Sequence, residues 1–177
     1  MSVGACVLIL METDPASPPG PVALSAMEAR RVSVELDIVR HTGGVPLQFI
    51  KWANVVVHDM AADGDRGAAG CHFLVDSDGT IRPTELWRRQ REGDHIRVPG
   101  YNFNANSIGV RLMVDSARSR PPGRQMDALV RLLRAIQVAC AIPRDHVYLH
   151  SDLARPGCPG KRFAGTSFRR RLISPTR

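Results

Sequence analysis

Apolar and polar positions alternate over Val32, Val34, Leu36 and Ile38, the period of two that predicts a half-buried strand. Lys51 to His58 (KWANVVVH) carries three adjacent valines, whose branched side chains disfavour helix and suit a buried strand ending at His58. Cys71 to Asp76 (CHFLVD) is a further apolar run. The turn triplet Ser77-Asp78-Gly79 closes it and leads into Thr80-Ile81, which reads as a hairpin. Ser107 to Val114 (SIGVRLMV) is another strand, with Gly109 marking close packing or a bulge. From Gln125 to Ala139 the period changes: Met126, Leu129, Val130, Leu133 and Ile136 fall on one face of an amphipathic helix, and Pro143 ends that register. Val147 to His150 (VYLH) is one more short strand ending in a histidine. Strands, one long helix and a closing strand predict an α/β domain with a mixed central sheet flanked by helices.

The chain ends of this pattern are different in kind. Thr13 to Pro21 contains four prolines, which remove backbone donors, so residues 1–30 read as an extension and linker and 31–177 as one domain. Met1 to Met11 is apolar without a leading Lys or Arg, so it reads as a strand or a partial, signal-like segment and leaves localisation open. No run approaches the roughly 18 apolar residues of a membrane-spanning helix.

A total of 177 residues can bury a real core, and 44% hydrophobic with 23% charged residues excludes wholesale disorder. With 24 Lys+Arg against 17 Asp+Glu the net charge is +7, which favours a polyanionic partner without naming it. The clusters Trp87-Arg88-Arg89-Gln90-Arg91 and Phe168-Arg169-Arg170-Arg171 raise nucleic acid as one such partner. At 5% aromatics, however, the chain is poor in stacking platforms, and a solvated basic surface is the simpler reading. Four cysteines without a CxxC pair exclude a disulfide-stapled scaffold.

The candidate chemistry lies in His150-Ser151-Asp152-Leu153-Ala154-Arg155-Pro156-Gly157-Cys158-Pro159-Gly160. A histidine at a strand end and a cysteine eight residues later in a Pro/Gly-rich loop offer zinc both ligand types it accepts, at about 2.0 to 2.3 Å. His58, ending another strand, supplies a third. That donor set leaves a fourth position for water, which the metal activates near neutral pH. A strand-capping His58, a surface imidazole and a buried thiol are the plain alternative.

In order and spacing, WANVVVH, GCHFLVDSDGTI, GDH, NANSIGVRLM, QMDALVRLLRAIQ and HSDLARPGCPGKRF resemble the zinc-dependent N-acetylmuramoyl-L-alanine amidases, a family that includes the peptidoglycan recognition proteins. The likeness covers about residues 52–163. It implies zinc held by His58, His150 and Cys158, a groove binding peptidoglycan or a muropeptide, and hydrolysis of the amide between N-acetylmuramic acid and L-alanine. It also implies His72 and His95 as groove residues that assist proton transfer or binding, and Asn106 as a structural or groove-edge residue. Under this likeness the positive charge favours an anionic wall, and no nucleic-acid partner is expected.

Three positions depart from the family pattern. Cys71 stands where many members have a tyrosine, and so cannot orient water through a phenol. Pro156 stands where active members often have lysine or threonine. Losing one such donor elsewhere costs on the order of 3 to 4 kcal/mol, so slow turnover, or a binding module without turnover, is an alternative outcome. Arg155 next door is the candidate substitute cation. The third departure is a short link, Asp59 to Gly70, where the family has a helix. An alternative register places His41 at the first ligand and restores the spacing, but requires the valines at 55–57 to leave the strand, so His58 is favoured.

Overall fold

The structure is a computed structural model that describes residues 38, 45–48, 51–60 and 68–174. Five strands, β1 (Asn54–His58), β2 (Phe73–Val75), β3 (Ile81–Pro83), β4 (Ser107–Leu112) and β5 (Val147–Leu149), form one sheet in the order β3-β2-β4-β1-β5. β4 runs parallel to both β1 and β2, and β1 parallel to β5, while β3 pairs antiparallel with β2. Among the described residues the α-helices that accompany it are α1 (Glu85–Arg88), α2 (Gly123–Cys140), α3 (His150–Leu153) and α4 (Gly165–Arg170), with Ile38 in a further helical segment.

Parallel strands covered on both faces read as continuous apolar runs, which is why the valines of β1 and all of β4 are buried. Side chains still alternate between faces. Val55, Val57, Phe73, Val75, Ile108, Val110, Leu112, Val147 and Leu149 belong to the apolar core, together with Ala128, Leu129, Leu132, Leu133 and Ile136 of α2. Each fully buried Leu, Ile or Phe there contributes about 1.5 to 3 kcal/mol relative to exposure. Two buried glutamines fix the helix: the Gln125 amide donates to the Val75 carbonyl at 2.9 Å, and the Gln137 amide donates to the Ile173 carbonyl at 2.5 Å. The opposite face carries Asn54, His58, Ser107, Gly109 and Arg111, all polar or small by the same alternation.

The hairpin is present: Val75 pairs with Ile81, and Gly79 takes φ +90, a left-handed turn conformation open to glycine. Other expectations shift. The long helix starts at Gly123 and ends at Cys140, with Ala141 in the left-handed region, so it stops before Pro143 acts. His150 is the first residue of α3 and not the last of a strand, because the Asp152 carboxylate accepts the Leu149 N–H at 2.7 Å and turns the chain into a helix. Ile38 is helical and 1% exposed, where alternation predicts a strand; four alternating positions also contain i, i+4 pairs, so the pattern was short enough to serve either period. The rest of that segment, the proline-rich stretch and residues 1–30 lie outside the described residues.

Candidate metal centre

Three elements bring the candidate ligands together. β1 delivers His58, 0% exposed, at its C-terminal end on the polar face. The neighbouring edge strand β5 delivers His150 one residue after its end. The loop after α3 delivers Cys158, whose carbonyl accepts the Ser151 N–H at 2.7 Å. Asp59 anchors that loop: one carboxylate oxygen accepts the Gly160 N–H at 2.9 Å, the Ser116 N–H at 3.2 Å and the Ser116 hydroxyl.

One ligand atom from each of His58, His150 and Cys158 lies within 4.8 Å of the others, and all three residues are buried. His58 Nδ1 stands 3.1 Å from His150 Nδ1. Two nitrogens on one tetrahedral zinc, with bonds of about 2.0 to 2.1 Å, would stand about 3.3 Å apart, so the pair already has ligand spacing. The tautomers follow from the hydrogen bonds. Because the Ser107 carbonyl only accepts, His95 Nε2–H donates to it at 3.2 Å, which leaves His95 Nδ1 as an acceptor. His58 Nε2 lies 3.1 Å from that nitrogen and therefore donates to it, turning the His58 Nδ1 lone pair toward His150. A histidine whose far nitrogen is held by a partner in this way is oriented for metal binding. Donor set, spacing and tautomer fit zinc.

Electrostatics agree. Burial, then the neighbouring His95, His150 and Arg111, hold His58 well below the usual imidazole range, so it is a neutral donor at physiological pH. His95 is lowered to about 4, mainly by burial. The Cys158 thiol is pushed up to about 12 by burial, against the pull of the Asp59 N–H bonded to sulfur, so a metal must displace its proton.

Beside the centre lies a cleft of about 280 Å³ lined by Asp94, His95, Ile96, Arg97, His150, Ala154 and Arg155. The candidate ligand His150 and the expected groove residues His95 and Arg155 thus share one space. Gly109 makes room for His95: a Cβ there would stand 2.6 Å from the His95 ring.

The family model of N-acetylmuramoyl-L-alanine amidases matches residues 33–161. The chain belongs to that family.

Its enzyme class is accordingly that of an N-acetylmuramoyl-L-alanine amidase, and the match begins well before residue 52, where the sequence likeness starts. No curated protein sequence matches significantly. Among solved structures, the chain is similar to the endolysin amidase LysCS from Clostridium intestinale at 22% identity, covering 71% of this chain and 87% of that one with a TM-score of 0.55. It is similar to AmiD from E. coli at 24% identity, with 70% and 58% covered and a TM-score of 0.54. Drosophila PGRP-LB follows at 19% identity, 71% and 86% covered and a TM-score of 0.50. These likenesses establish a shared amidase fold, a mixed sheet with flanking helices.

Seen as an amidase, the chain places its remaining candidates unevenly. His72 does not line the cleft: it is 0% exposed, accepts the Gly109 N–H and donates to the Arg91 carbonyl, both at 2.9 Å, and burial holds it at about 3. Both nitrogens are therefore spent on backbone. Asn106 ties β1 to the loop before β4, accepting from the Asn54 amide at 3.2 Å and donating to the Tyr101 hydroxyl at 3.2 Å. Cys71 is 0% exposed and does not line the cleft, whereas Pro156 is exposed. His41 lies outside the described residues.

Sequence reasoning missed Asp59 and Arg111, 0% and 2% exposed beside the candidate ligands. For Arg111 a signal existed: in SIGVRL it alternates with core residues onto the face of Ser107 and Gly109, in register with His58. Asp59 has no such signal, since an aspartate after a strand normally meets solvent. The basic clusters dissolve into structure: Trp87 and Phe168 are core, Arg88 and Arg89 pair with Glu85, Arg169 with Asp152 and Arg171 with Asp127. No helix among the described residues is long and apolar enough to cross a membrane.

Proposed function

We propose that His58, His150 and Cys158 hold one zinc ion, and that the chain uses it to hydrolyse the amide joining N-acetylmuramic acid to the L-alanine of a stem peptide. The carrying observation is the buried cluster itself, with the His58 lone pair turned inward by the His95–Ser107 relay. Zinc bound there supplies Lewis acidity, which polarises a carbonyl and makes water nucleophilic near neutral pH.

The chain's own residues divide the remaining work. His95 is a positioning residue: both its nitrogens are engaged, so it orients His58 and carries no proton to substrate. His72 holds β2 against β4 through Gly109. Arg97, paired with Asp94 at 3.5 Å, and Arg155 are the basic residues of the cleft wall. The AmiD relative is complexed with anhydro-N-acetylmuramic acid-L-Ala-D-γ-Glu-L-Lys, whose peptide bears free carboxylates. A comparable ligand here would set those carboxylates against the two arginines. The buried Cys71, which offers the cleft no phenol, supports slow turnover.

Elemental analysis and release of tripeptide from that muropeptide test the reading together. One zinc per chain and product formation are expected, both lost in His58→Ala and Cys158→Ala. Cleavage by metal-free protein, or zinc retained in both variants, would end the proposal. Tight muropeptide binding without product would leave a recognition module.

A further inference from the structure

His95 orients His58, and Asp59 anchors the loop of Cys158, which leaves the placement of His150 to be explained. That residue stands at a weak point of the fold. β5 is three residues long and lies at the edge of the sheet, where among the described residues it pairs with β1, and α3 is a single turn of four residues. Neither so short an edge strand nor one helical turn holds its own geometry, so the joint between them needs support from outside.

That support comes from the segment after residue 161, where the family match stops. Asp152 reaches back from the third helical position to accept the Leu149 N–H. The same carboxylate oxygen accepts Arg169 Nη2 at 2.5 Å, and Arg169 Nη1 donates to the Val147 carbonyl at 3.5 Å. One guanidinium of α4 thus grips the chain on both sides of His150, as a planar fork can and a single ammonium cannot. Its base is fixed in turn. Phe168 and Leu172 are buried in the core, and the carbonyls of Arg171, Leu172 and Ile173, left over at the exit of α4, accept Arg134 Nε at 2.7 Å, Arg144 Nη2 at 3.0 Å and Gln137 Nε2 at 2.5 Å. Stability does not account for the Arg169 contact: the two side chains are 42% and 32% exposed, and ion pairs so exposed contribute little to folding. A second pair of α4's exit, Arg171 with Asp127 at 2.6 Å, is comparably exposed but runs to α2.

We propose that Arg169 is a positioning residue for His150: through Asp152 and the Val147 carbonyl it fixes the backbone from which that imidazole meets His58. α4, beyond the family-matched residues, then belongs to the construction of the site. The consequence for zinc rests on the amidase reading, whereas the placement of the imidazole stands on the contacts themselves.

The test uses the full chain, with and without zinc, as Arg169→Ala, Arg169→Lys, Asp152→Asn, the double variant of Arg169→Ala with Asp152→Asn, and Arg171→Ala as the matched control. In the metal-free chain, NMR signals of the His150 ring should move in Arg169→Ala and stay in place in Arg171→Ala. Zinc affinity, read by competition with a chelator, should fall about tenfold in Arg169→Ala, the lower end of what supports of a metal ligand contribute. It should fall less in Arg169→Lys and remain at the parent value in Arg171→Ala. The double variant should lose no more than the larger single loss, because both substitutions break one contact. Melting temperatures of the metal-free Arg169→Ala and Arg171→Ala chains should match, which separates placement from stability. An unmoved His150 ring with equal zinc affinity in those two variants, additive losses in the double variant, or losses that follow melting temperature across the whole set would overturn the role of Arg169 and leave the zinc reading standing. If the parent takes up no zinc, the amidase reading fails, and the His150 ring signals alone decide whether Arg169 places that imidazole.

Discussion

The two faces of the sheet solve opposite problems. Against α2, Val55, Val57, Ile108, Val110 and Leu112 fill space with groups that need no partners. On the other face His58, His72, Asp59, Ser107 and Arg111 are equally hidden, each 2% exposed or less. Burial of polar groups is costly unless every donor and acceptor is met, so this face is built from hydrogen bonds with defined direction. The apolar face sets how stable the molecule is; the polar face sets where lone pairs point.

Acid should break the comparison most strongly, because only one face titrates. His58, His72 and His95 are all held below the ordinary 6.5, His72 at about 3 and His95 at about 4. The unfolded chain takes up protons near 6.5 while the folded chain refuses them, so this stability is complete above 6.5 and is lost as pH falls from there toward 3. At about 1.4 kcal/mol for each unit of pKa difference, several kcal/mol should disappear by pH 4. Denaturant melts of the metal-free chain across that range measure it, and a flat profile would contradict the buried, neutral imidazoles.

Leu133→Ala comes next. Buried in the α2 face at 0% exposure, it should cost about 2 to 5 kcal/mol in unfolding free energy, yet leave zinc stoichiometry at its wild-type value. Gly109→Ala should do the reverse. Its new Cβ would displace the His95 ring, and loss of that support for a ligand typically weakens metal binding 10- to 100-fold, to be read by competition with a chelator. Were Gly109→Ala to bind zinc like the parent, His95 would not be orienting His58. The smallest effect belongs to Ala141→Gly: Ala141 closes α2 at φ 53, and glycine there should add about 0.5 to 1 kcal/mol while leaving the polar face untouched.

The faces also differ in how far the sequence discloses them. Apolar and β-branched runs located β1, β2, β4 and β5, the Ser77-Asp78-Gly79 turn marked β3 and a 3.6 period located the long helix, because the apolar face is written directly in residue type; the period-two reading over Val32 to Ile38 instead met a helix at Ile38. The polar face required a family likeness, since a histidine ending a strand looks the same whether it meets a metal or a carbonyl. His58 and His72 illustrate this: both are fully buried, but one keeps a lone pair and the other spends both nitrogens on Gly109 and Arg91. Asp59 stayed invisible because its partners, Ser116 and Gly160, are 57 and 101 residues away. The short helix at His150 depends on one carboxylate, Asp152, which no periodicity reports.

His58 and His150 stand 92 positions apart, and Cys158 comes later still. During synthesis the first of these groups therefore leaves the ribosome long before the other two, and a nascent or truncated polypeptide ending before Cys158 has at most two of them. Metal affinity at this site would therefore report that distant parts of the polypeptide have come together, and not merely that β1 and β5 have paired.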